Sequence, residues 1–150
     1  MENTKQFSNN NQYIVISMGD EEFGIDIKYI DNIVKMQHVT RVPNVASYIK
    51  GVINLRGEVI PVMSLRLKMG LDNDVETKNT RIIILKLEQY GMLGVIVDEV
   101  KEVLTLTDGE IEKVGSNNKE EKEGFVFAVG KYDNTLVSLL DLNAVALERE

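Results

Sequence analysis

Gly51-Val52-Ile53-Asn54-Leu55-Arg56-Gly57-Glu58-Val59-Ile60-Pro61-Val62-Met63-Ser64-Leu65 decides how the rest of the chain folds. It is two short apolar runs, Val52–Leu55 and Val59–Met63, separated by Arg56-Gly57-Glu58. β-branched residues fit a pleated surface, and Gly57 is free to take the positive φ of a tight turn, so the stretch predicts a β-hairpin with half-buried arms. Pro61 has no N–H to donate, which predicts an edge strand or a bulge there. Asn54 and Arg56 stand among apolar neighbours, where a polar group must find a partner or reach solvent.

Working outward, Tyr13–Met18 and Phe23–Ile27 predict two strands around the turn Gly19-Asp20-Glu21-Glu22. Ile27, Ile30, Ile33 and Val34 then follow a helical spacing, with Asp26 placed to cap a helix of two to three turns. Val39–Asn44 is extended ahead of the hairpin, because Pro43 disfavours helix at Val42. Gly70–Asn79 is polar and reads as a linker; its Asp72-Asn73-Asp74 hints at a calcium loop, but Thr77 and Ile83 stand where that loop needs Gly and Glu. Arg81–Leu87 and Leu93–Val97 predict a further hairpin. Asp98 is placed to cap a short helix carrying Val100, Val103 and Leu104. Residues 115–124 read as a mobile loop, Phe125–Val129 and Thr135–Leu139 as strands, and Asp141 as the cap of a helix over 141–149. Residues 1–11 are polar and predict a disordered tail.

The two halves repeat each other. At an offset of 70, Phe23-Gly24-Ile25, Ile27, Ile30, Ile33 and Val34 fall on Leu93-Gly94-Val95, Val97, Val100, Val103 and Leu104. At an offset of 77, Val59–Leu65 falls on Leu136–Leu142. Short antiparallel strands in two copies predict two small barrels or sandwiches packed together, the first over about 12–70 and the second over about 80–142. The groove between them is the natural place for a ligand or partner.

Composition excludes much. The 150 residues contain no Cys and one His, His38, so disulfides, thiol chemistry and His- or Cys-based metal sites are ruled out, and no cofactor is expected. No phosphate loop or nucleophile motif occurs, and no carboxylate pair is singled out, so an enzyme is not expected. Met1–Gln12 has no apolar core of a signal peptide, and no apolar run reaches the ~20 residues of a membrane span. Net charge is −7, which disfavours nucleic acid and anionic membranes as partners. Residues 41–68 nevertheless carry Arg41, Lys50, Arg56, Arg66 and Lys68 against Glu58 alone, a local +4.

Val42-Pro43-Asn44-Val45-Ala46-Ser47-Tyr48-Ile49-Lys50, the following Gly51–Gly57 and Val59–Val62 resemble the signature of the CheW family. Gly19–Ile27 and Gly94–Val100 resemble it too, and the likeness runs over 12–147. The resemblance implies a mainly β protein of two five-stranded SH3-like β-barrels with short helices, and a non-catalytic adaptor. Such adaptors couple the cytoplasmic tips of chemoreceptors to the histidine kinase CheA, in the cytoplasm at membrane-associated arrays, with other copies of the adaptor as further candidate partners. Carried over by motif, the receptor-facing residues are Ile30, Val34, Gly51, Asn54, Arg56 and Gly57, with Val97 and Val100 as a second wall. Two positions depart from the family pattern: Ser64 and Asn32 stand where acidic residues are common, so Arg56 is left to find Asp31, Glu58 or a partner. Without the resemblance, a small-molecule-binding regulatory domain built on the inter-barrel groove remains open, and so does a carboxylate hydrolase.

Overall fold

The structure is a computed structural model that describes residues 10–113 and 124–147. Eleven strands dominate the described residues: β1 Asn10–Met18, β2 Glu21–Asp26, β3 Ile30–Lys35, β4 Ile49–Leu55, β5 Glu58–Ser64, β6 Arg81–Leu87, β7 Gly91–Val97, β8 Glu99–Thr107, β9 Ile111–Lys113, β10 Val126–Tyr132 and β11 Thr135–Leu140. Two short helices, α1 Leu65–Lys68 and α2 Leu142–Ala146, follow the second strands of the two late hairpins. The predicted tail lies outside the described residues except for Asn10 and Asn11, which belong to β1. The predicted loop over 115–124 lies outside them except for Gly124, and so do residues 148–150.

One sheet has the strand order β8-β1-β2-β11-β10-β9 and the other β3-β6-β7-β5-β4. Numbered within the repeat, both read third-first-second-fifth-fourth, and the first two strands come from the opposite copy. The chain is therefore not divided at residues 70–80, as the repeat alone predicts: β1 and β2 sit in the barrel completed by β8–β11, and β6 and β7 complete the barrel of β3–β5. The exchange is made by two parallel pairings, Leu139 opposite Gly24 and Val62 opposite Gly94. Those pairs map onto each other by the offsets of 77 and 70. A Cβ on Gly24 would lie 2.8 Å from the Leu139 side chain, and one on Gly94 would lie 3.3 Å from that of Val62, so the repeated glycine permits the parallel strands to approach.

Each sheet closes on itself. β8 runs through a 3₁₀ turn, Asp108–Glu110, into β9. β3 runs on to Thr40, which exchanges two 2.8 Å backbone hydrogen bonds with Val52 of β4. Closure removes exposed strand edges. Alternation then gives three apolar layers. Tyr13, Val15, Leu104, Leu106, Val137 and Leu139 fill one barrel. Ile53, Ile60, Val62, Ile82, Ile84 and Ile96 fill the other. The opposite faces meet in a core between the sheets, where Ile16, Met18, Phe23 and Ile25 join Ile83, Leu85, Val95 and Val97.

Two predicted helices are strands. Ile27–Tyr29 makes one 3₁₀ turn, capped by Asp26 Oδ1 accepting from Lys28 N, and the chain then enters β3. The second predicted helix, over Val100–Leu104, lies inside β8. Both strands carry a bulge at the equivalent residue: Asp31 is unmatched between Ile30 and Asn32, and Lys101 between Val100 and Glu102. A bulge inserts one residue and lengthens an alternation of two locally to three, which imitates the helical spacing. The late hairpins are also bulged at equivalent residues, Lys50 and Phe127.

Pro61 is not on an edge strand, since β5 lies between β4 and β7. Its partner Val52 directs its own backbone groups to Thr40, so Pro61 N faces the other flank, where pairing with β7 begins only at Val62. The missing N–H breaks no ladder bond.

Candidate functional site

The β4–β5 hairpin turns on Arg56 and Gly57, with φ of 51° and 82°, the two positive values a type I′ turn requires. The equivalent turn of the other barrel uses Asp133 and Asn134, at 53° and 65°. Asp and Asn tolerate this region, whereas an Arg in it costs about 1–2 kcal/mol. Asn54, Arg56 and Gly57 are all exposed, so the polar groups that stand among apolar neighbours in the sequence reach solvent. Among the described residues no hydrogen bond or ion pair reaches the Arg56 guanidinium. Asn32 is turned away from such a role, its Oδ1 accepting from Ile33 N at 2.9 Å. Across the hairpin from Asn54, Val59 is 65% exposed.

The other predicted residues divide. Gly51 is buried at φ 143°, and a Cβ there would fall 2.0 Å from Thr40 O, so its function is to admit the closing segment of the barrel. Val97 is 0% exposed in the inter-sheet core and cannot meet a partner without unpacking. Ile30 and Val100 are half-buried against the same core. The Asp31 bulge moves Val34 into the interior of the other layer, with Leu55 and Met92. Ile33, which the sequence reading left out of the site, is the β3 residue that shares the inter-sheet core with Ile30. The bulge was the missing signal.

Tyr29 and Ile14 join this half-buried rim. Tyr29 stands close to Tyr13 of β1, whose phenol is pushed above its usual value by burial first, then by the charge of Asp26 and by Tyr29. β1 in turn pairs with β8, setting Ile16 opposite Val100. Ile14, Tyr29, Ile30, Ile33 and Val100 are thus half-buried apolar residues of β1, the 3₁₀ turn, β3 and β8 that pack against the inter-sheet core.

Two clasps hold the two barrels together. Arg66 of α1 donates to both oxygens of Asp98, Nε at 2.9 Å and Nη2 at 2.8 Å, and Gly19 N adds a third bond to Asp98 at 3.0 Å. Asp98 is therefore a junction residue, not the helix cap the sequence suggests. The hydrogen bonds from Arg66 hold its carboxyl below the usual range; partial burial opposes them and Gly19 N–H assists. The Arg66 guanidinium is raised in return, chiefly by the hydrogen bond to Asp98. Lys68 is the second clasp. It is buried, donates to Leu147 O at 2.5 Å, and lies 4.0 Å from the Tyr48 ring and 6.0 Å from the Phe125 ring. Tyr48 and Phe125 are equivalent at the offset of 77: their carbonyls accept from Ser64 N and Asp141 N. Lys68 thus joins equivalent points of the two barrels. Ser64 and Asp141 in turn cap α1 and α2, Ser64 Oγ accepting from Leu67 N and Asp141 Oδ1 from Asn143 N and Ala144 N.

No group of three or more His, Asp or Glu among the described residues is arranged to hold a metal ion. No helix among them is long and apolar enough to cross a membrane. The described residues thus set half-buried apolar side chains of β1, β3 and β8 against the inter-sheet core, and an exposed hairpin turn whose Arg56 has no hydrogen bond or ion pair among them.

Residues 12–150 match the CheW-like domain family, and the chain belongs to that family. It is 36% identical over 147 residues to the chemotaxis protein CheW of Bacillus subtilis (strain 168), covering 98% of this chain and 93% of that one. It is 34% identical over 134 residues to the CheW of Helicobacter pylori, covering 89% and 80%. A crystal structure described as the scaffolding protein TtCheW from Thermoanaerobacter tengcongensis superposes with a TM-score of 0.83 at 29% identity, covering 93% of this chain and 89% of that one.

Proposed function

We propose that this protein is a non-catalytic scaffold of chemotaxis signalling, and that it couples the cytoplasmic tips of chemoreceptors to the histidine kinase CheA. The observation that carries the reading is Arg56. A residue held in a costly left-handed conformation, without a partner among the described residues, at the tip of a hairpin is what a partner-binding turn requires. The relatives' names and the scaffolding title of the similar structure support the same class.

In this reading a receptor helical tip lays its apolar face into the groove at Ile30, Ile33 and Val100, and its polar rim meets Asn54 and Arg56. A standard contact buries about 800 Å² per partner. Individual affinities can be modest, because an array supplies high effective concentration. CheA, and further copies of the chain, meet the exposed hairpin ends of the barrels, where Val59 and the equivalent Leu136 are 65% and 61% exposed. The working location is then the cytoplasm, at receptor arrays.

The test is reconstitution. The protein is mixed with CheA and a soluble receptor cytoplasmic fragment, and kinase autophosphorylation is followed. A rise in rate that needs both protein and receptor is expected. Arg56→Glu is expected to keep the fold and lose receptor pull-down. No change in rate, with all three components shown to be folded, would remove the coupling function for those partners.

A further inference from the structure

Between β3 and β4 the chain makes an excursion, residues 36–48, in which only Thr40 joins a ladder. Long connections without regular structure inside a compact domain are commonly functional. This one is not loose. Thr40 is bonded twice to Val52 at 2.8 Å, Ile49 N donates to Ala46 O at 3.0 Å, and Ser64 N donates to Tyr48 O at 2.7 Å. Together with Ile96 and Glu76 the excursion encloses a cleft of about 840 Å³.

The chemistry of the cleft is two-sided. Its apolar lining includes Met36, Val39, Val42 and Val45, and the last two are 37% and 41% exposed. Its charged groups are Arg41 and Lys50 against Glu76. The local +4 of residues 41–68 is partitioned by the fold: Arg66 is taken by Asp98 and Lys68 by Leu147 O and Tyr48. Arg41, Lys50 and Arg56 are left facing outward. Lys50 is placed there by the β4 bulge and bonds only Asn73 Oδ1, at 3.2 Å, among the described residues. Arg41 is exposed and has no carboxylate partner among them. In a chain of net charge −7, an outward pair of cations on a cleft that also presents exposed valines is complementary to an acidic partner.

We propose that this cleft is a second protein-docking site, distinct from the inter-barrel groove, and that it takes an acidic segment of a partner protein. One or two apolar side chains of that segment enter between Val39, Val42 and Val45, and flanking carboxylates meet Arg41 and Lys50. The walls are held before the partner arrives, so little ordering is required on binding.

The test uses the full ¹⁵N-labelled chain, titrated with a short synthetic peptide of alternating glutamate and leucine and, separately, with its lysine–leucine counterpart. The expected result is saturable shift changes confined to residues 36–50 and Glu76 with the glutamate peptide only. Arg41→Glu, with an unchanged spectrum elsewhere, should weaken that binding at least about tenfold, the equivalent of about 1.4 kcal/mol. Shifts centred on Ile30, Val100 or the Arg56 turn, equal binding of the lysine peptide, no saturable shift, or an unaffected Arg41→Glu variant would each overturn the proposal. None of these outcomes bears on receptor coupling, which the reconstitution assay reads separately.

Discussion

Replacing Asp98 by Ala removes three acceptor contacts at once: two from Arg66, at 2.9 and 2.8 Å, and one from Gly19 N at 3.0 Å. The Arg66 and Asp98 side chains are 18% and 29% exposed, so the pair lies between two known regimes. Hydrogen bonds to charged groups in buried settings contribute about 1.5–3 kcal/mol each, whereas exposed ion pairs contribute about 0.2–1 kcal/mol. Water can rehydrate Gly19 N–H and part of the guanidinium, which places the loss at about 2 kcal/mol. For a domain of this size that corresponds to a drop in Tm of about 4–8 °C at pH 7. The pH dependence follows from the direction of the Asp98 shift. Its folded pKa is lowered, so its contribution is present above the unfolded value of about 3.9 and is lost as pH falls through the folded value. The gap between wild type and Asp98→Ala should therefore hold from pH 7 down to about 5 and close below about 4. Thermal melts at neutral pH and urea titrations across this range measure it. A double-mutant cycle with Arg66→Ala should return a coupling of about 1–2 kcal/mol. A Tm difference under about 1 °C at pH 7, a gap that survives unchanged at pH 3, or additive single mutants would each refute the assignment of Asp98 as the junction.

Gly51→Ala sets a Cβ against Thr40 O at a φ that L-residues avoid, so urea denaturation should report a loss of roughly 2–4 kcal/mol, and the Thr40 and Val52 amides should lose exchange protection. Lys68→Met keeps much of the volume but removes the bond to Leu147 O and the cation over Tyr48, so a destabilisation of about 1–3 kcal/mol and faster proteolysis after α2 are expected; equal stability and protease resistance would show that Lys68 only fills space.

How legible the fold was depended on whether a strand kept its alternation. β2, β5, β6, β7 and β11 alternate or run apolar without interruption, and the sequence reads them as strands. β3 and β8 read as helices because Asp31 and Lys101 each break the period at one residue. A bulge is recognised by what lies opposite it, and that information is not local. The same bulge explains why Val34 was expected in the groove and Ile33 was not. Gly51 and Val97, expected to face a receptor, are both buried, and the sequence could not show it. Motif resemblance marks both as important, but only burial separates a residue that shapes a binding surface from one that touches a partner.

The amino-acid sequence alone determined the class of fold, the internal repeat with its offsets of 70 and 77, the hairpin turn at Arg56-Gly57 and the absence of thiol chemistry, because each depends on residue identity and short-range spacing. Tertiary structure decided which copy of the repeat each early hairpin completes. Both hairpins present alternating apolar faces of similar width, so local pattern does not distinguish an intact barrel from an exchanged one. The choice is made by long-range packing: Gly24 beneath Leu139 and Gly94 beneath Val62, in parallel pairings between residues far apart in the chain. Tertiary structure also divided the five cations of residues 41–68, turning Arg66 and Lys68 inward as clasps and leaving Arg41, Lys50 and Arg56 without a carboxylate partner among the described residues.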